Sequence, residues 1–93
     1  MTIFYYNSDK MDINEFLDRN QEKINEATIE AIKKCIYSDM DQIVYMKIKP
    51  DNSKYLIRRP NFKKFLNSAI SYYEKEEMYE KCSECLELIN LID

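Results

Sequence analysis

The chain reads as one small α+β domain, and three observations predict it. Apolar residues recur at helical spacing near both ends, a stretch of period-two alternation lies between Ile43 and Arg58, and clusters of Pro, Asn, Asp and Ser separate the two regimes. Ninety-three residues, 45% of them hydrophobic, suffice for one modest core, so a single domain is expected over 1–93.

Ile3 to Tyr6 is a short apolar and aromatic run that reads as a candidate third strand, and Asn7-Ser8-Asp9-Lys10 reads as a loop. Asp12 with Glu15 three residues on forms an acidic version of the capping box and opens a long N-terminal helix over about 12–38. Ile13, Leu17, Ile24, Thr28, Ala31, Ile32 and Cys35 carry its apolar stripe, and the polar stretch from Asp18 to Lys23 is where a break would fall. A β-hairpin follows over about 42–59, turning at Pro50-Asp51-Asn52-Ser53. Pairing Lys49 with Lys54 puts Val44, Met46, Ile48, Tyr55 and Ile57 on one face. The other face then carries Tyr45, Lys47, Lys49, Lys54, Leu56 and Arg58. A lone hairpin is marginal in water, so its apolar face must rest on helices. Pro60-Asn61 opens a helix over about 61–75, with Phe62, Phe65, Leu66, Ala69, Ile70 and Tyr73 in one stripe. Continued straight, that stripe would run into Glu76, Glu77 and Glu80. The pattern restarts with Met78, Cys82, Cys85, Leu86 and Ile89, which predicts a second helix over about 77–92 folded back on the first. The chain has no glycine, so its turns rest on Asn, Asp, Ser and Pro.

Charge is segregated along the chain. From Lys47 to Lys64 there are seven basic residues and one acid, whereas both ends are acidic and the net charge is −3. One concentrated basic surface on a mildly acidic domain suits an anionic partner or the acidic end of another copy. The overall acidity argues against a dedicated nucleic-acid domain.

Catalysis is disfavoured by residue type. With no histidine the usual general base near neutral pH is missing, and with no glycine there is no phosphate-cradling loop. Cys82-Ser83-Glu84-Cys85 has C-x-x-C spacing, but a zinc site needs four ligands and only Cys35 remains. Both cysteines sit in a helix's apolar stripe, as small core residues do. No catalytic residue, metal or cofactor is therefore expected. Three cysteines cannot all pair within one chain, which points to a reducing compartment. The first residues show no secretory leader and no apolar run approaches membrane-spanning length, so the expected location is the cytoplasm of a host cell or a viral particle. Phe, Tyr, Met, Ile, Asn and Lys supply 48 residues and Gly, Ala, Arg and Pro only 8. That bias tracks AT-rich codons and fits a phage or other mobile element.

Binding is the remaining class. The candidate partner-binding residues are Tyr45, Lys47, Lys49, Lys54, Arg58, Arg59, Lys63 and Lys64 in the basic region. Tyr72, Tyr79, Leu88 and Leu91 join them as apolar residues that lie off the inward stripes of the last two helices. The expected partner is a larger protein or assembly, with a homo-oligomer as a further possibility. The expected role is that of an accessory subunit, as in a virion, or an inhibitor or modulator of a host enzyme. The alternative is a nucleic-acid-binding accessory factor, in which Tyr45 stacks on bases and Lys47, Lys49, Arg58 and Arg59 neutralise phosphates.

The run Tyr79-Glu80-Lys81-Cys82-Ser83-Glu84-Cys85-Leu86-Glu87-Leu88-Ile89 resembles the UVR motif of excision-repair and Clp-associated proteins. That family's pattern is aromatic-Glu-x-Ala-Ala-x-Leu-Arg-Asp-x-Ile, preceded by a helix ending in acidic residues. The resemblance covers Leu66 to Ile92 and implies a helical hairpin that docks onto another protein without catalytic residues. Here Cys82-Ser83 replaces the paired alanines, Cys85 the leucine, and Leu86-Glu87 the Arg-Asp pair.

Overall fold

Alternation at the start of the chain, with Phe4 buried between exposed Ile3 and Tyr5, makes Thr2–Tyr5 a strand (β1) in the computed structural model, which describes residues 1–92. Then follow α1 (Ile13–Arg19), α2 (Gln21–Tyr37), β2 (Gln42–Lys49), β3 (Ser53–Arg58), a 3-10 turn (Arg59–Asn61), α3 (Phe62–Lys75) and α4 (Tyr79–Ile92). The α+β class and the C-terminal helix pair are as the pattern predicts. No helix among the described residues is long and apolar enough to cross a membrane.

The long N-terminal helix is corrected to two, of which the first is short. Asp12 does cap it, accepting the Glu15 N–H at 2.9 Å. Asn20 then ends it: its side-chain amide donates to the Phe16 carbonyl at 2.8 Å while its backbone leaves helical geometry at φ −107° and ψ 15°. Asparagine competes with the helix ladder in this way because its amide reaches nearby carbonyls. The break lets Phe16 meet Phe4 edge-on at 6.2 Å and Tyr6 at 5.1 Å. It also resets the stripe, leaving Ile13 exposed and burying Ala27 and Ile29 with Thr28, Ala31, Ile32 and Cys35.

The sheet has the order β1-β2-β3, with β1 parallel and β3 antiparallel to β2. Lys47, not Lys49, stands opposite Lys54. A slip of two residues leaves every side chain on its expected face. The face changes at a bulge instead: Val44 pairs with Leu56 and Met46 with Tyr55, so Tyr45 has no partner across the ladder. The bulge breaks the alternation, burying the adjacent Tyr45 and Met46 and carrying Val44 to the side of Leu56. α2 packs across β2, and α4 packs on α2 and α3. Phe4, Met46, Ile48 and Ile57 of the sheet share one core with Ile29, Ile32, Cys35, Phe62, Leu66, Tyr73, Cys85 and Leu88.

Three turns use left-handed residues that are not glycine: Asp39, Asn52 and Glu77, with φ of 53°, 59° and 58°. Asp39 and Glu77 close α2 and α3, each followed by a residue whose N–H reaches five positions back. These bonds run from Met40 to Cys35 and from Met78 to Tyr73, both at 2.8 Å.

Candidate docking surface

The outer face of the sheet lies opposite the core, and its residues follow from the register. One cross-strand row is Ile3, Lys47 and Lys54, and another is Tyr5 beside Lys49. Further along, Val44 faces Leu56 and Gln42 faces Arg58. Tyr5 is 77% exposed, Ile3 45% and Leu56 40%, so no helix covers them. Among the described residues no carboxylate pairs with Lys47, Lys49, Lys54 or Arg58. The ion pairs found involve Arg19, Lys33 and Arg59 instead. Two lysines directly opposite each other repel, and among the described residues no ion pair offsets that repulsion.

Other nominated residues lie elsewhere. Tyr45 is corrected to the core: its ring is buried against Phe65 at 6.3 Å, and burial raises its hydroxyl pKa. Leu88 is likewise corrected to the core, at 2% exposure. Arg59 is turned inward, where its guanidinium donates to Asp41 at 3.1 Å and to the Met40 carbonyl at 2.7 Å. It also lies 5.5 Å from the centre of the Phe62 ring. It latches the α2–β2 connection to the 3-10 turn and is withdrawn from the outer face. Lys63 and Lys64 are exposed on the first turn of α3. Tyr72 is half-buried edge-on to Tyr73 at 5.6 Å, while Tyr79 and Leu91 are exposed on α4.

The cysteines are packed thiols. Cys82 Sγ donates to the Ile70 carbonyl at 3.7 Å, and burial pushes the Cys85 thiol up to about 11. Neither geometry suits a thiolate nucleophile. Among the described residues no group of three His, Cys, Asp or Glu is placed to hold a metal ion.

Ile3 and Tyr5 were absent from the candidate residues. Period-two alternation already put them on one face of a strand, yet only the parallel pairing with β2 brings them beside the lysines. The chain matches no family model, no curated protein and no solved structure.

Proposed function

We propose that the protein is a non-catalytic docking module whose outer sheet face seats on an acidic surface of a larger protein. One observation carries this reading. Lys47, Lys49, Lys54 and Arg58 stand unpaired on an uncovered sheet, interleaved with exposed Ile3, Tyr5 and Leu56. An acidic partner would relieve the lysine repulsion, and its apolar side chains would cover the three hydrophobic residues. The role suits an accessory subunit of a virion-like assembly or a modulator of a larger enzyme. The UVR-like hairpin of α3 and α4 agrees with docking, as that family docks onto other proteins.

Nucleic acid is the weaker reading on this geometry. Tyr45 and Arg59 are withdrawn from the face, leaving Tyr5 as the only stacking ring among the rows described, beside aliphatic residues that do not stack.

Affinity purification from the native host, with the protein and its Lys47→Glu, Lys54→Glu variant as paired baits, tests the proposal. The captured protein should bind the variant at least about tenfold more weakly, about 1.4 kcal/mol. Circular dichroism should show the variant folded. Equal capture by both baits refutes the assignment of the face. Binding of single-stranded RNA or DNA with a log–log salt slope of about −3, as four cations would give, moves the reading to nucleic acid.

A further inference from the structure

The chain also carries an acidic, partly apolar groove. It lies between the C-terminal half of α2 and α4, encloses about 400 Å³, and is lined by Lys33, Tyr37, Glu80, Glu84, Glu87 and Leu91, with Leu88 among the walls. Glu84 is bonded to Lys33 at 2.9 Å, which braces α4 against α2 and raises the Lys33 pKa through that hydrogen bond. Glu80 and Glu87 have no ion-pair partner among the described residues. Tyr37 is 74% exposed and Leu91 54%, so the rim is as uncovered as the sheet.

We propose that the groove receives the outer sheet face of a second copy, so that copies associate head to tail. The proposal rests on the reading of that face as a docking surface and names one occupant for it. Two observations support it. The charges are opposite, with four unpaired cations on one surface and Glu80 and Glu87 on the other. Exposed apolar residues also lie on both surfaces. Tyr5, the most exposed large hydrophobic residue, stands beside Lys49, and the groove offers exposed Tyr37 and Leu91 at its rim.

The two surfaces share no residue, so both can be filled at once and the contact is heterologous. Such an array keeps one free sheet face at its end. That end copy is the one that meets the larger partner.

Sedimentation velocity on the intact protein tests this at about 20 mM and about 500 mM salt, across a range of concentrations. At low salt the average mass should rise above that of one chain as concentration increases, and the added salt should lower it. Lys47→Glu with Lys54→Glu should give a monomer, and so should Glu80→Lys with Glu87→Lys. An equimolar mixture of the two variants should give a one-to-one pair and nothing larger, because the intact sheet face of one meets the intact groove of the other while the remaining two surfaces are both altered. If charge reversal unfolds either variant, Lys47→Gln with Lys54→Gln and Glu80→Gln with Glu87→Gln provide the same comparison without added repulsion. A wild-type monomer at every concentration in low salt overturns the proposal, as does assembly that survives either pair of substitutions. If the wild type stays monomeric yet the sheet-face variant alone loses the larger partner, self-association falls and the docking reading stands.

Discussion

Glu77 holds a left-handed conformation that costs an L-residue with a Cβ roughly 1 kcal/mol, in a chain that has no glycine to place there. Glu77→Gly should therefore raise the stability by about 1 kcal/mol, read as a higher urea midpoint; a lower midpoint contradicts the assignment. The Tyr73 hydroxyl is buried with no hydrogen-bond partner among the described residues. Tyr73→Phe should leave stability unchanged or raise it by up to about 1 kcal/mol, because an unpaired buried hydroxyl contributes nothing to the fold. Burial also raises the pKa of Tyr73 and pushes the Cys85 thiol from its ordinary 9.0 to about 11. Above about pH 9 the unfolded chain sheds a thiol proton that the folded chain keeps, so stability is full below that pH and declines through pH 11. Urea midpoints at pH 7, 9 and about 10.5 should show the decline, and Cys85→Ala should make it shallower. A midpoint that holds to about pH 10.5 would contradict it.

Between elements, Arg59 and Arg58 divide two roles that adjacent positions in the sequence do not reveal. Arg59 joins two connections through Met40, Asp41 and Phe62, whereas Arg58 points from the sheet into solvent. Arg59→Ala should cost about 1.5–3 kcal/mol of stability, and Arg58→Ala less than about 0.5 kcal/mol while weakening capture of a partner. Comparable losses of stability from both would show that the latch is not specific. The Asn20 break is a second case. The polar run around it was visible in the pattern, but the need for it comes from Phe16, which must turn onto Phe4 and Tyr6 from another part of the chain.

Across the whole molecule, opposite charges are sorted onto different surfaces. The folded chain keeps Lys47 against Lys54 with no counter-charge, an arrangement that favours binding over stability. Lys54→Thr should therefore stabilise the isolated protein by about 0.2–1 kcal/mol and still weaken its association with an acidic surface. Chemical denaturation and a binding titration on the same sample measure both. A variant that is less stable, or one that binds as well as wild type, would remove the trade-off.

The amino-acid order alone determined the α+β class, the hairpin, the helix pair and the gathering of basic residues on β2 and β3. Each of these follows from local periodicity, from capping at Asp12 or from charges close together in the chain. Tertiary structure decided the rest. The one-residue bulge at Tyr45 turned Tyr45 into the core and carried Val44 out of it, and side-chain alternation has no means of announcing an extra residue. The parallel pairing of β1 with β2 brought Ile3 and Tyr5 beside Lys47 and Lys49 across a gap of more than forty residues. Such long-range pairing is set by how well the whole core closes, and no local pattern encodes it.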